Sequence, residues 1–144
     1  MKKCSEVMTV NPTCCLPTDV VSSAAQWMKT ENVGSIPVIE SKQTKKLIGI
    51  VTDRDLALQV VADERDAKST KVEDVMTRKI VTCHVDDDVE KAVEAMAARQ
   101  LRRMPVVDND YRIIGIISQA DVATRIDQPS ETAKMVKEIS QPMA

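Results

Sequence analysis

The chain repeats itself, and that constrains its fold more than any other feature of the sequence. Val7-Met8-Thr9 returns as Val75-Met76-Thr77, 68 residues on, and Met28 returns as Met96 at the same spacing. Ile36-Pro37-Val38-Ile39-Glu40 matches Met104-Pro105-Val106-Val107-Asp108, again 68 residues apart. Gly49-Ile50-Val51-Thr52-Asp53-Arg54-Asp55-Leu56-Ala57 matches Gly115-Ile116-Ile117-Ser118-Gln119-Ala120-Asp121-Val122-Ala123 at a spacing of 66, so the second copy is two residues shorter in the loop between. Two copies of a unit of about 60–65 residues account for nearly all of the 144. One such unit buries too little surface to be stable alone, so the expectation is two units packed about a pseudo-two-fold axis around a common core.

Each copy reads as β-α-β-β-α. A short apolar run (Thr13–Leu16; Ile80–Cys83) predicts a first strand. An amphipathic helix follows. In the first copy Thr18 is the expected cap, with Val20, Val21, Ala24, Ala25 and Met28 at helical spacing. In the second, Asp86 is the expected cap, with Val89, Val93, Met96 and Ala97 as the stripe. Two strands come next, Ile36–Glu40 with Leu47–Thr52 and Met104–Asp108 with Arg112–Ser118. Asp108-Asn109-Asp110 has hairpin chemistry, because Asn and Asp tolerate positive φ. A last helix is expected from Asp53 to Asp63 and from Gln119 to Ile126. Apolar strand pairs imply a small sheet covered by helices, an α/β fold. The expected boundaries are 1–66 for the first unit with its N-terminal segment, 67–126 for the second, and 127–144 for a polar tail in which Met135, Val136 and Ile139 support at best a short helix. Polar residues 62–70 read as the linker, and residues 1–8 as a short helix.

Composition removes several function classes. The three glycines, Gly34, Gly49 and Gly115, cannot write a GxGxxG or GxxxxGK[ST] phosphate loop, which excludes P-loop NTPases and dinucleotide-fingerprint oxidoreductases. Trp27 and Tyr111 are the only aromatics, so stacking of bases or sugars on rings is disfavoured and the core must be aliphatic with Met as filler. A net charge of −2 argues against a duplex nucleic-acid binder; Arg99, Arg102 and Arg103 alone are thin support for one. No apolar stretch suits a signal peptide or a membrane span, so the expected compartment is the cytoplasm, with Cys4, Cys14, Cys15 and Cys83 as thiols.

The ordered marks are Val-Met-Thr before each unit, an apolar-Pro-Val strand, and Gly-apolar-apolar-[Ser/Thr]-x-x-Asp entering the last helix. Their repetition resembles a tandem CBS-domain pair, the regulatory module named after cystathionine β-synthase, over about residues 5–126. The resemblance implies two CBS units in a pseudo-symmetric α/β sandwich that commonly dimerises. It also implies adenosine-containing ligands (AMP, ADP, ATP, S-adenosylmethionine, NAD) in two clefts between the units, and no catalysis. An unknown effector protein would receive the signal.

The family's ribose-holding Asp matches Asp55 and Asp121, with Thr52 and Ser118 three residues before them. A carboxylate in a first helical turn can accept two hydrogen bonds from a ribose cis-diol, and free N–H groups there can meet a phosphate. The same [S/T]-x-x-[D/E] spacing also closes a capping box that needs no ligand, and a residue can serve both roles. In the family the adenine is held by backbone and aliphatic groups at positions matching Ser35, Ile36, Val38, Arg103, Met104 and Val106, with Cys14, Cys15, Thr82 and Cys83 from the first strands. For Ile36, Val38, Met104 and Val106, burial in a core strand is at least part of the answer. Phosphate needs cations. Arg102 and Arg103 stand where the first copy has Gly34 and Ser35, while Arg54, beside Asp53, faces Ala120 in the second copy, so the two clefts are not equivalent. The cleft with Ser118, Asp121, Arg102 and Arg103 reads as better equipped for a charged nucleotide; each Arg could equally be a solvated surface group. Two other readings stay open: a ligand-independent oligomerisation or adaptor module in which the motifs are only caps, and a metal or thiol-redox site using Cys14, Cys15, Cys83 and His84. No CxxC pair supports the latter, and Cys is more simply a small buried hydrophobe.

Overall fold

The computed structural model of the chain describes residues 2–125 and 135–140. In chain order the elements are α1 (Cys4–Val7), β1 (Thr9–Val10), α2 (Val21–Glu31), β2 (Ser35–Ile39), β3 (Leu47–Thr52), α3 (Asp53–Leu56) continuing as a π-helix (Ala57–Val61), a 3₁₀ turn (Val72–Asp74), β4 (Cys83–His84), α4 (Val89–Arg99), β5 (Arg103–Val107), β6 (Ile113–Ser118) and α5 (Gln119–Arg125). A helical turn covers 135–139. The mixed α/β character and the repeated β-α-β-β-α order agree with the sequence. The last helix of the second copy is expected to reach Ile126, which lies outside the described residues.

The chain forms two compact units, and they are not the two sequence repeats. One unit is Thr13–Ile80; the other joins Met1–Pro12 to Val81–Ala144. We call them the Asp55 unit and the Asp121 unit. The physical reason is the Val-Met-Thr segment. In the Asp121 unit β1 pairs antiparallel with β6, Thr9 against Ile116 and Val10 against Gly115. In the Asp55 unit Thr77 forms the same antiparallel bridge with Ile50, and the two exchange both hydrogen bonds at 2.8 and 2.9 Å. Each Val-Met-Thr therefore completes the sheet of the repeat it does not precede.

The glycine of each repeat exists for this pairing. A Cβ on Gly115 would lie 2.6 Å from Met8 Sδ and 2.8 Å from the Thr9 carbonyl oxygen. One on Gly49 would lie 2.7 Å from Met76 Sδ and 3.1 Å from the Thr77 carbonyl oxygen. Both contacts are too close for a side chain, so the strand must carry hydrogen where Met and backbone cross it.

β2–β3 and β5–β6 are antiparallel hairpins in equivalent register, Ser35 against Thr52 and Arg103 against Ser118. β4 joins β5 in parallel, giving the order β1-β6-β5-β4. The first strands are shorter than expected. In place of a strand over Thr13–Leu16 there is one parallel bridge, Cys15 to Val38, and in place of Ile80–Cys83 the strand begins at Cys83. The next N–H in each case leaves the ladder. Leu16 N–H donates to the Asp19 carboxylate at 2.8 Å, and His84 N–H to the Asp87 carboxylate at 2.9 Å.

The expected caps Thr18 and Asp86 do not cap. The N-cap residues are Val20 and Asp88, and neither side chain bonds an N–H of its own helix; the Asp88 carboxylate accepts from Lys3 Nζ at 3.0 Å instead. Backbone from elsewhere satisfies the helix starts instead: Val21 N–H donates to Thr70 O, Ser22 N–H to Ala67 O, and Val89 N–H to Lys2 O. Residues 62–70 thus act as a cap and not as a free linker, with the Asp66 carboxylate accepting from Lys68 N–H and Ser69 Oγ. Both helices end on a left-handed residue, Asn32 (φ 55°) and Gln100 (φ 55°).

Apolar stripes bury as expected at Val21, Ala24, Met28, Val89, Val93, Met96 and Ala97, and Ala92 joins them. Ala25 is exposed and Val20 half-buried. Within the tail, Met135 and Ile139 are buried in the core of the Asp121 unit, so this part of it is not merely polar. The hairpin's positive φ falls on Tyr111 (60°), not on Asn109 or Asp110, because the Asp108 carboxylate gathers the N–H groups of Asp110 and Arg112 and closes the turn around them. The expected helix from Asp53 to Asp63 changes to π after Leu56, where Ala62 N–H reaches back to Ala57 O.

Candidate functional site

Each candidate site grows from the end of a hairpin. In the Asp55 unit, β3 delivers Thr52 to the start of α3. Thr52 Oγ1 accepts from Asp55 N–H and the Asp55 carboxylate accepts from Thr52 N–H, both at 3.0 Å. In the Asp121 unit, Ser118 and Asp121 make the same two bonds at the same length. Both capping boxes are closed. The junctions are tied further to the neighbouring strand: Asp53 N–H donates to Gly34 O and Gln119 N–H to Arg102 O, each at 2.9 Å. This brings Gly34 and Ser35 beside Thr52–Asp55, and Arg102 and Arg103 beside Ser118–Asp121.

A second hydroxyl reaches each carboxylate. Thr77 Oγ1 lies 3.2 and 3.3 Å from the two Asp55 oxygens, and Thr9 Oγ1 lies 3.1 and 3.3 Å from those of Asp121. Sequence reasoning marked Val-Met-Thr as a repeat but gave its threonine no role. The signal was the invariant place of Thr in both copies. The position four residues after each Asp was also missed. Gln59 Nε2 donates to Val75 O at 3.2 Å; Arg125 Nη1 donates to Val7 O and Met8 O, both at 2.9 Å, and stands 3.9 Å from Asp121 Oδ1.

These neighbours make the carboxylates unequal. Asp121 is the one buried charged residue among the described residues, 8% exposed, while Asp55 is only half-buried. Arg54 and Asp53 are exposed, and the Asp53 carboxylate accepts from Arg54 N–H at 2.8 Å. Arg102 is exposed and Arg103 half-buried. Ile36, Val38, Met104, Val106, Cys15 and Cys83 all turn their side chains into the two cores, so what these strands can offer a ligand is backbone.

The thiols divide in the same way. Burial pushes the Cys15 thiol up to about 12. Cys83 Sγ donates to Pro105 O at 3.8 Å; the neighbouring Cys4 thiol together with burial raises the Cys83 thiol, and Cys83 in turn lowers Cys4 against the opposing effect of burial. The His84 ring contacts Asn109 Oδ1 and accepts from Asp86 N–H. Among the described residues no three His, Cys, Asp or Glu side chains gather as a metal cage. No helix among them is long and apolar enough to cross a membrane.

Comparison with known proteins agrees with this geometry. The CBS domain family model matches residues 4–62 and again residues 72–128. The YlbB protein of Bacillus subtilis is 36% identical over 141 residues, covering 98% of this chain and 93% of its own. The CBS domain-containing protein YhcV of the same organism is 37% identical over 123 residues, 85% of this chain and 84% of its own. Among solved structures, CBSX2 in complex with AMP superposes with a TM-score of 0.70 at 28% identity, over 84% of this chain and 93% of that one.

Proposed function

Because the chain belongs to the CBS domain family, we propose that it is a non-catalytic regulatory module that binds an adenosine-containing ligand and signals through altered conformation or association. The observation that carries this reading is the twice-built strand-to-helix junction. Each junction presents a carboxylate whose position is fixed by a capping box and a threonine, next to an exposed arginine. A carboxylate has about four acceptor positions, and the amide and the shared threonine hydroxyl take two of them, leaving room for a ribose diol. The AMP complex of a 28%-identical relative supports the ligand class. AMP, ADP, ATP, NAD and S-adenosylmethionine are the candidates; the chain acts in the cytoplasm as a homodimer that passes its state to an effector protein. A ligand acts here only through a difference in affinity between two states of the module.

Exposure reverses the order expected from charge. Asp55, half-buried and beside exposed Arg54, is the more accessible ribose acceptor; Asp121 must first be uncovered. A second reading has its own observation: both motifs are complete capping boxes without any ligand, as a ligand-independent adaptor requires. A thermal-shift panel of AMP, ADP, ATP, NAD, S-adenosylmethionine and GMP separates the two. A ligand at ~100 times its dissociation constant adds about 2.7 kcal/mol of stability. The sensor reading expects an adenine ligand to raise Tm and Asp55→Ala to remove more of the rise than Asp121→Ala. A flat panel on wild type leaves the adaptor reading.

A further inference from the structure

We infer, on the nucleoside reading of the Asp55 junction, that Asp53 makes this junction selective for adenosine whose 5′ group is uncharged or cationic, such as a hydroxyl or a sulfonium, and turns 5′-phosphates away. Donors decide what the turn can hold. Thr52 N–H donates to the Asp55 carboxylate at 3.0 Å and Asp53 N–H to Gly34 O at 2.9 Å. Arg54 N–H donates to the Asp53 carboxylate at 2.8 Å and Asp55 N–H to Thr52 Oγ1 at 3.0 Å. Every backbone N–H from 52 to 55 is therefore occupied within the turn or by the neighbouring strand. A phosphate needs donors and finds these closed, whereas a ligand hydroxyl finds carboxylate lone pairs.

The Asp53 carboxylate is held in one place. Its Oδ1 takes the Arg54 N–H, and its Oδ2 lies 3.0 Å from where a Cβ on Gly34 would stand. The carboxylate thus fills the space that a side chain at position 34 would use. Asp53 is exposed, so its charge meets an arriving ligand.

The Asp121 unit inverts this arrangement. Arg102 holds the position of Gly34 and Gln119 that of Asp53, while Gln119 N–H makes the matching bond to Arg102 O at 2.9 Å. Residues 34–35 and 52–55 carry two carboxylates and one guanidinium, that of Arg54; residues 102–103 and 118–121 carry one carboxylate and two guanidinia. Equivalent backbone therefore presents opposite charge.

Asp53 and Asp55 share one short helix. A ribose held at Asp55 by its 2′ and 3′ hydroxyls carries its 5′ group one sugar ring away, within the field of both carboxylates. Two like charges about 4 Å apart in water cost about fivefold in affinity. A 5′ hydroxyl does not feel this repulsion, and a sulfonium is attracted. The opposing cations lie on the crossing segment, where Arg78 and Lys79 follow Thr77 as Val10 and Asn11 follow Thr9. Arg78 gives its guanidinium to Glu73 O at 3.5 Å.

The test is an NMR titration of the isotope-labelled full-length protein with adenosine, S-adenosylmethionine and AMP, each read separately at the amides of 52–55 and of 118–121. At 52–55, adenosine and S-adenosylmethionine should bind at least about fivefold more tightly than AMP. Asp53→Asn keeps an oxygen for the Arg54 N–H and should close that gap, tightening AMP while leaving adenosine unchanged. If this variant fails to fold, the wild-type gap between adenosine and AMP decides, and it should shrink as sodium chloride is raised. If none of the three ligands moves the amides of 52–55, the nucleoside reading itself fails and the selectivity falls with it. If they do move but AMP binds as tightly as adenosine or more so, as Arg78 and Lys79 would bring about, the junction stands as a nucleoside site and the role of Asp53 is overturned. An Asp53→Asn variant that leaves the gap unchanged overturns it equally.

Discussion

Asp55 and Asp121 occupy the same place in the same motif, with the same capping box and the same threonine, yet one is half-buried and the other 8% exposed. The difference lies one helical turn on. Gln59 makes a single bond to the segment that crosses its sheet, whereas Arg125 grips two carbonyls of the equivalent segment and approaches the carboxylate. The lesson is that a motif fixes where a carboxylate sits, while its neighbours decide whether that carboxylate is structural or available. Removing each in turn gives the largest expected contrast. Asp121→Ala strips partners from the Ser118 amide, Thr9 and Arg125 in a buried place and should cost about 2–3 kcal/mol. Asp55→Ala loses a cap at a half-exposed helix start and should cost about 1 kcal/mol. Urea denaturation of both variants measures the gap; equal losses would break the distinction drawn here.

The glycines test whether the two crossings are equally tight. Gly115→Ala drives a methyl into Met8 Sδ at 2.6 Å and into a backbone carbonyl at 2.8 Å; Gly49→Ala meets sulfur at 2.7 Å but carbonyl only at 3.1 Å. Methionine can swing aside and a backbone carbonyl cannot. Both substitutions should destabilise by roughly 1–3 kcal/mol, Gly115→Ala by more. Tm values of the two variants read the order directly, and the reverse order would place the tighter crossing in the Asp55 unit.

Much of this was legible in the residues. Repetition exposed the unit, and alternation of apolar runs placed β3, β5 and β6 to within a residue. Thr52–Asp55 and Ser118–Asp121 were found, together with their two possible meanings. What stayed hidden was long-range. Nothing local says that Thr9 bonds Asp121, 112 residues away, or that Thr70 caps α2. The caps at Thr18 and Asp86 were misplaced because Asp19 and Asp87 use their carboxylates to end a strand, and the helix starts then draw on carbonyls from distant loops.

Exchanging the i+4 residues sharpens the comparison further. Arg125→Gln should make the Asp121 end behave like its counterpart, costing about 1 kcal/mol through the lost carbonyl bond. The half-exposed ion pair adds little to that figure. The same change should enlarge the Tm response to AMP at Asp121, read in an Asp55→Ala background. A response left unchanged would mean that burial of Asp121 owes nothing to Arg125.

The hairpin turns carry the smallest contrast, and it is one of pH. In the Asp121 unit the Asp108 carboxylate accepts from the N–H groups of Arg112 and Asp110 and from the Arg112 guanidinium. The Arg112 amide foremost, then the Asp110 amide and the guanidinium, hold its carboxyl below the ordinary 3.8. A depressed carboxyl contributes fully above its unfolded value and loses that contribution as pH falls through its lower folded value. In the matching turn of the Asp55 unit the Thr44 N–H donates to the Ser41 hydroxyl at 3.0 Å, a group that does not titrate over that range, and the Glu40 carboxylate reaches only the Thr44 hydroxyl, at 3.5 Å. Amide exchange followed by NMR from about pH 5 downward should therefore show Asp110 and Arg112 losing protection while Thr44 keeps its own. Asp108→Asn should flatten the pH dependence, because an amide oxygen can still accept one bond but carries no charge to lose. If Thr44 loosened in step with Asp110, the acid response would belong to the whole chain and not to this one carboxylate.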